Sequence, residues 1–371
     1  MTLRILLLAD THLGFDLPAK PRIERARRGE DFFEAFEHAL APATRGEVDV
    51  VVHGGDLFYR SRIPAWLAQR VFSRLAALAD GGVDVFWVPG NHERSGIPRR
   101  LLLSHPRIHV FDRPRTFLVE RGGLRVALAG IPHAPRIRGE ATALIAATGH
   151  AAVGADARLL CLHQAVEGAT VGPGDFTFRT GADVLRCADL PAGFATVLSG
   201  HIHRAQVLRR DLAGRRLAAP VLYPGSTERT SFAERQEAKG FVMVELERGA
   251  DAEGVTTRWR FRPLPVRPMA DLELDAAGGA AELAARLRGA LAALDPRSVV
   301  RVRLRGEPAP EALPALRAAA VRAAAPPTMH VSVAWRALRG PSSGPRSAKT
   351  RDRSIALAES ELDPEGAVEP V

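Results

Sequence analysis

Val88-Pro-Gly-Asn-His-Glu93 closes the apolar run Val83-Asp-Val-Phe-Trp-Val88. That run has the length and composition of a buried strand. Pro89 and Gly90 end it and turn the chain, so Asn91, His92 and Glu93 arrive at the strand's carboxyl end. In open α/β sheets that end is where ligands bind. An Asn beside a His offers one oxygen ligand for a hard or borderline metal, and one proton donor or second ligand.

The same grammar recurs on both sides. Residues 3–9 are an apolar run that ends in Asp10-Thr-His12, and residues 48–52 end in His53-Gly-Gly-Asp56. Between these runs, Phe32, Phe33, Phe36 and Leu40 recur at helical spacing, predicting a helix over 30–40 with Pro42 beyond its end. Trp66, Leu67, Val71, Leu75 and Leu78 predict a second helix over 65–79, with Pro64 at its first turn. Strand and helix alternate, so the fold expected is layered α/β with a mainly parallel sheet. Further on, 124–129 lead into His133, 158–162 into His163-Gln164, and 194–198 into Ser199-Gly-His-Ile-His203. Residues 240–246 read as a closing strand.

Past residue 265 the texture changes. Strands over 269–274, 299–304 and 331–335 alternate with Ala-rich helices over 281–294 and 311–324, and no ligand cluster accompanies them. The expected division is a catalytic domain at 1–246, a connecting segment at 247–264, a small domain at 265–336 and a disordered tail at 337–371. In that tail a basic stretch precedes an acidic end and few apolar residues remain, leaving only 354–362 for a brief helix.

Composition narrows the class. Of 371 residues, 46% are apolar and 25% charged, ordinary values for a globular protein with a real core. Two cysteines, Cys161 and Cys187, are too few for a disulfide framework and point to a reducing compartment. No run approaches a membrane span and the apolar start lacks a cleavage site, so a cytoplasmic chain with no membrane partner is expected. The net charge of +9 is compatible with a polyanionic partner, but it rests on 48 Arg against three Lys, a skew that genome composition also produces.

Asp10, His12, Asp56, Asn91, His92, His163, His201 and His203 all stand at strand ends. One buried histidine is usually just hydrogen-bonded; eight such residues at successive strand ends point to metal. His, Asp and Asn together suit divalent ions of intermediate softness such as manganese, iron or zinc. Seven ligands suit two ions sharing one carboxylate, about 3.5–4 Å apart.

Asp10-Thr-His12, Gly55-Asp56, Gly90-Asn-His-Glu93, His163 and Gly200-His-Ile-His203 resemble, in order and spacing, the motifs of calcineurin-like metallophosphoesterases. Ala9-Asp-Thr-His-Leu-Gly14, Gly54-Gly-Asp-Leu-Phe58, Leu162-His-Gln164, Tyr223-Pro-Gly-Ser-Thr-Glu-Arg229 and Lys239-Gly-Phe241 resemble the SbcD/Mre-type DNA double-strand-break repair nucleases in particular. That resemblance implies a metallophosphoesterase β-sandwich flanked by helices, with 265–336 as a small α+β capping domain. It implies one metal on Asp10, His12, Asp56 and His203, and a second on Asp56, Asn91, His163 and His201, with Asp56 bridging. It implies His92 as the catalytic histidine, and two divalent ions, expected to be Mn2+, for double-strand exonuclease and single-strand endonuclease activity. It also implies DNA as substrate, a homodimer, and an SbcC-type ABC/SMC ATPase partner. Tyr59 departs from the family, which often has histidine or aspartate there; this bears on the balance of the two activities. Arg60, Arg62, Arg94 and Arg229 lie in loops beside the site and are candidate phosphate contacts. Glu93 is expected to support the loop and His53 to be structural, while Trp259 and Trp335 are expected in the core. A phosphoesterase for small molecules and a non-catalytic binding subunit are the competing readings.

Overall fold

The computed structural model describes residues 2–16, 28–93, 105–248 and 254–334. Arg94, Trp335 and the tail at 337–371 lie outside the described residues. The chain divides into two compact units, and the division is not linear in sequence. The larger takes the residues up to Phe15, Gly29–Arg229 and Gln236–Val266; the smaller takes Arg267 onward together with Asp16–Arg28 and Thr230–Arg235.

Two six-stranded sheets form the larger unit. The first runs, in spatial order, Thr256–Pro263, Gly240–Glu247, Thr2–Leu8, Val50–His53, Asp84–Trp87, Ile108–Val110. Its last four strands are parallel, and Gly240–Glu247 lies antiparallel to both of its neighbours. The second sheet runs Gln206–Arg210, Arg216–Tyr223, Thr196–Gly200, Ala157–His163, Leu124–Gly130, Arg115–Arg121. Its four central strands are parallel and its edges antiparallel.

Alternate residues of the two sheets meet in one core. Ile5, Leu7, Val50, Val52 and Phe86 of the first pack against Val126, Leu128, Leu159, Cys161, Leu198 and Leu222 of the second. Leu6, Leu8 and Val51, which alternate with them, are equally buried. Helices Gly29–Thr44 and Ala65–Asp80 pack on this sheet. Strands covered on both faces read as continuous apolar runs, which is why the runs at 3–9 and 48–52 were legible. Outside the second sheet, Leu160, Leu162, Val197 and Val221 share a core with Ile137, Ala141 and Ile145 of helix Ile137–Ala147. The sheets are thus flanked by helices in a mixed α/β sandwich.

Local chemistry corrects several element readings. Helix Gly29–Thr44 continues through Pro42, which is buried inside its last turn. The ring costs one intrahelical hydrogen bond there. Trp66 is 52% exposed rather than on the buried face of Leu67, Val71, Leu75 and Leu78. One residue before Leu67 is about 100° around the helix. Within 247–264, read as a connecting segment, Thr256–Pro263 is an edge strand paired along its length with Gly240–Glu247. Its arginines at 258, 260 and 262 disguise the alternation of Thr257, Trp259 and Phe261.

The smaller unit holds a parallel sheet, Met269–Asp275, Val299–Arg305, His330–Ala334. Helix Ala280–Ala292 covers it with Leu283, Leu287 and Leu291 buried. The single helix expected over 311–324 is two pieces, a 3-10 helix Pro310–Leu316 and an α-helix Ala318–Ala324. Pro314 lies within the 3-10 piece, where its ring offers no N–H, and the chain breaks at Arg317, which is extended at ψ 144°. Asp271 gathers this unit's arginines. It accepts Arg301 through both carboxylate oxygens at 2.7 and 3.0 Å and lies 3.6 Å from Arg235.

Candidate metal centre

Parallel strands of both sheets end on one side of the sandwich, and their loops carry the polar residues. Two glycines let the sheets converge there. A Cβ on Gly200 would sit 2.4 Å from the Gly54 carbonyl oxygen, and one on Gly54 would sit 3.0 Å from Gly200 N. The loop Asp56 and the strand-three loop are equally close: a Cβ on Gly90 would fall 2.2 Å from Asp56 Oδ1.

The chain bends sharply to aim these side chains. Asp10, His12, Asp56 and His201 all have positive φ, at 51°, 44°, 51° and 84°. Among the described residues only Asp16 and Asp175 are other non-glycine residues with that conformation. Each such residue costs about 1–3 kcal/mol. Strain concentrated on these side chains is a mark of a functional site that composition and motif do not reveal.

Donor atoms face one another across short gaps. His12 Nε2 lies 3.0 Å from His203 Nε2. His163 Nε2 is 3.0 Å from Asn91 Oδ1, 3.3 Å from His201 Nδ1 and 3.5 Å from Asp56 Oδ1. His201 Nδ1 is 3.1 Å from the same Asn91 oxygen. Asp10, His12 and His203 each offer a ligand atom within 4.8 Å of the others, and so do Asp10, Asp56 and His163. Asp10, His12, Asp56, Asn91, His163, His201 and His203 are therefore brought together. Asp10 and Asp56 both belong to more than one such group, so distance alone does not single out Asp56 as the bridge.

The tautomers of two histidines follow from carbonyl partners, which only accept. His163 Nδ1–H donates to the Gly54 carbonyl at 2.8 Å, which aims Nε2 at the cluster. His92 Nδ1–H donates to the Tyr59 carbonyl at 2.5 Å, so its Nε2 faces Asp56 Oδ2 at 3.8 Å. Metal-binding histidines are characteristically fixed through the other nitrogen in this way. His92 is 31% exposed, while His163 is fully buried. His12, Asp56 and His92 also offer three donors within 4.8 Å, so His92 stands at the edge of the ligand cluster.

Burial and mutual charge shift the protonation of the cluster. Burial raises Asp10, and the neighbouring Asp56 charge adds to it despite His163 and His203. Burial alone would raise Asp56 too, but His163, His12 and His92 hold it well below the usual carboxylate range. Burial works against a proton on His163, yet Asp56, Asp10 and the Gly54 carbonyl hold its pKa up at about 9. Burial and the His163 charge push His201 down to about 3. A cluster of imidazole nitrogens, one amide oxygen and two carboxylates fits a divalent cation pair of intermediate softness.

Supporting residues are visible around the cluster. Glu93, fully buried, accepts from Gly90 N at 2.7 Å, Phe58 N at 2.9 Å and Asp56 N at 3.1 Å, tying two loops together. Burial, with the Asp56 charge, pushes it up to about 8. Thr11 gives its hydroxyl proton to the Leu57 carbonyl and accepts from His53 Nε2, whose Nδ1 accepts from Gly55 N. His53 is neutral, pushed down to about 3 by burial, and braces the loop. Lys239, buried, donates to the His203 carbonyl at 2.9 Å and to Glu237 at 3.1 Å. Sequence reasoning assigned Lys239 no role. His133 sits beside His201, ring centroids 5.7 Å apart.

The described members of the candidate phosphate-binding arginines differ in exposure and partners. Arg60 and Arg62 are exposed, with Arg60 5.8 Å over the Tyr59 ring. Arg229 is half-buried and donates to the Glu237 carbonyl at 3.0 Å, so its guanidinium is engaged within the fold. Arg94 lies outside the described residues. Burial raises the Tyr59 phenol, which stays protonated.

The sandwich, the strand-end loops and the paired clusters of donors are those of a phosphoesterase. The calcineurin-like phosphoesterase family matches residues 3–205, and the chain belongs to it. Its divalent-metal chemistry accords with the Asp and His groups above. Among curated proteins the chain is similar to the DNA double-strand break repair protein Mre11 of Haloferax volcanii, 33% identical over 312 residues, covering 82% of this chain and 62% of that one. It is similar to the Mre11 of Methanopyrus kandleri, 27% identical over 281 residues, 69% of this chain and 57% of that one. With that of Thermoplasma acidophilum it shares 27% over 294 residues, 75% of this chain and 70% of that one. The chain spans about three fifths of the length of the first two. No helix among the described residues is long and apolar enough to cross a membrane.

Proposed function

We propose that the chain is a two-metal DNA phosphodiesterase, a manganese-dependent double-strand exonuclease with single-strand endonuclease activity, acting in DNA repair. The observation that carries this reading is the convergence of Asp10, His12, Asp56, Asn91, His163, His201 and His203 from successive strand ends onto one cluster. The DNA double-strand break repair names of its relatives support the choice of DNA over a small phosphoester.

Asp10, His12, Asp56 and His203 would hold one ion and Asp56, Asn91, His163 and His201 the other, with Asp56 shared. Bound there, the two cations supply charge opposite the phosphoryl oxygens and lower the pKa of an attacking water. The chain's own part is to orient and to move a proton. The Gly54 carbonyl aims His163 Nε2 into the cluster, and Glu93 holds the Asp56 and Gly90 backbone in register. The Tyr59 carbonyl holds the proton on His92 Nδ1, so a second proton, taken up at Nε2, is the one His92 would give to the departing sugar oxygen, returning to the neutral ring. The exposed Arg60 and Arg62, with Arg94, would contact flanking phosphates, and Arg229 would hold the neighbouring loop.

The same reading makes the working assembly a homodimer with an SbcC-type ABC/SMC ATPase, in the cytoplasm. Co-purification with and without residues 337–371 tests that partner. The activity is tested by incubating end-labelled duplex and single-stranded DNA with manganese, magnesium or zinc, beside bis-p-nitrophenyl phosphate. Manganese-dependent DNA cleavage is expected. Turnover of the small ester with no cleavage of DNA would refute the DNA assignment.

A further inference from the structure

A cavity of about 590 Å3 opens in the larger unit, lined by Arg209, Arg210, Arg216, Trp259, Pro220 and Leu217, among others. It lies at the opposite end of the sandwich from the metal cluster. Arg216 begins the strand Arg216–Tyr223, which runs parallel to Thr196–Gly200. The loop after Thr196–Gly200 carries His201 and His203, so Arg216 is at the amino end of the sheet. Ala195 and Thr257, also in the lining, likewise stand at the amino ends of their strands. A strand of this length puts about 20 Å between the two ends.

The lining is cationic by construction. Arg210 and Arg216 are direct cross-strand partners in the antiparallel edge pair. Like charges placed opposite each other in this way destabilise a sheet; neither has a carboxylate partner among the described residues, and Arg210 spends one Nη1–H on the Gly214 carbonyl at 2.7 Å, leaving its other N–H groups for a ligand. The register between the two strands shifts between Leu208 and Arg210, where Pro220 faces the edge strand. Irregularities of this type re-aim side chains, and as a result consecutive arginines 209 and 210 line the same space. No acidic residue lines it.

The remaining wall is apolar and flat. Trp259 closes one side, with the Arg209 guanidinium 4.9 Å from its ring centroid, and Pro220, Leu217 and Val255 complete it. Converging guanidinium groups select phosphate, and an aromatic platform with an arginine beside it selects a base. The volume lies within the range of small-ligand sites. We propose that this cavity is a second binding site, remote from the metal cluster, for a nucleotide: its phosphate held between Arg210 and Arg216, its base against Trp259 and Arg209. The nucleotide is either free or a unit of a single strand, and the chemistry recognised is the same.

Isothermal titration of the full chain in EDTA, so that no divalent ion recruits phosphate, tests this with dAMP, inorganic phosphate and a short oligodeoxyadenylate. The expected result is 1:1 binding of dAMP, weakened about tenfold or more in R210Q/R216Q, as loss of a charge-assisted phosphate clamp requires. The unliganded double variant should melt at or above the parent temperature, because the paired charges are relieved. Arg209→Gln, which disturbs no cross-strand pair, should weaken dAMP binding while leaving phosphate binding unchanged. Tighter binding of the oligonucleotide assigns the site to a strand, and equal or weaker binding assigns it to a free nucleotide. The proposal is overturned if dAMP shows no heat at millimolar concentration, if R210Q/R216Q binds it as the parent does, or if inorganic phosphate binds as tightly as dAMP.

Discussion

Glu93→Ala removes a carboxylate that is fully buried and accepts three backbone N–H groups, those of Asp56, Phe58 and Gly90. Each donor left unsatisfied in the interior costs about 1–3 kcal/mol. A water entering the vacated space can accept two of the three, so the net loss is about 3 kcal/mol. Glu93→Gln keeps one oxygen but turns an amide N–H toward a donor. Placing that oxygen at Oε2 retains the Asp56 and Gly90 bonds and sets the amide against Phe58 N, for a loss of about 1–2 kcal/mol. For a unit of this size, 3 kcal/mol lowers the melting midpoint by about 6–12 °C. Urea unfolding followed through the buried Trp87, three residues before Gly90, reads both variants. The loops carrying Asp56 and Asn91 also lose their tie, so manganese affinity should fall about 10–100-fold, as loss of a group that orients ligands typically does. If Glu93→Ala unfolded within 0.5 kcal/mol of the parent, which is about the scatter of a neutral surface change, the carboxylate would not be the clamp described here.

Other perturbations separate parts of the account. Gly200→Ala would place a Cβ 2.4 Å from the Gly54 carbonyl oxygen and 2.8 Å from Ala9 Cβ; calorimetry should show a loss of about 2 kcal/mol or more, as overpacking of a tight contact does, and an unchanged midpoint would contradict the close approach of the sheets. Lys239→Met removes the buried donor to the His203 carbonyl, and manganese affinity should fall by about tenfold or more; equal affinity in dialysis would show that the His203 loop needs no brace. In the smaller unit, the bond from Arg301, with Arg303 and Arg235, holds the Asp271 carboxyl below its ordinary range. A depressed folded value means its stabilisation is complete above the unfolded carboxylate pKa and disappears as pH falls through the folded one. Asp271→Asn should therefore cost about 0.5–1 kcal/mol at neutral pH, discounted for solvent screening, and less as pH drops through the acid range; an equal loss at every pH would assign the effect to packing.

The residues that place donors at strand ends were legible because each follows an apolar run long enough to be a buried strand. Asp10, Asp56, Asn91 and His163 all stand within four residues of such a strand. What stayed hidden depends on backbone groups rather than on side-chain identity. The Tyr59 carbonyl that orients His92, the Gly54 carbonyl that orients His163 and the three N–H groups on Glu93 belong to no motif. The positive φ at His201 is equally silent in sequence, since only a few per cent of non-glycine residues adopt it and no motif marks which. Long-range pairing hid the rest: the strand Thr256–Pro263 is defined by Gly240–Glu247 beside it, and the bond from Arg229 to the Glu237 carbonyl has no signal in the sequence. Proline misled in both directions. The helix runs through Pro42 at the cost of one hydrogen bond, and the break at Arg317 that divides 311–324 has no proline beside it to announce it.

The most direct test of the central claim is manganese-dependent cleavage of end-labelled DNA by the parent and by His92→Asn, measured under single-turnover conditions. The account predicts cleavage by the parent and a rate about 10²–10⁴ lower in the variant, the range for loss of a general acid, with both proteins binding the same number of ions. Cleavage by His92→Asn at the parent rate, or no manganese-dependent cleavage by the parent, would contradict it.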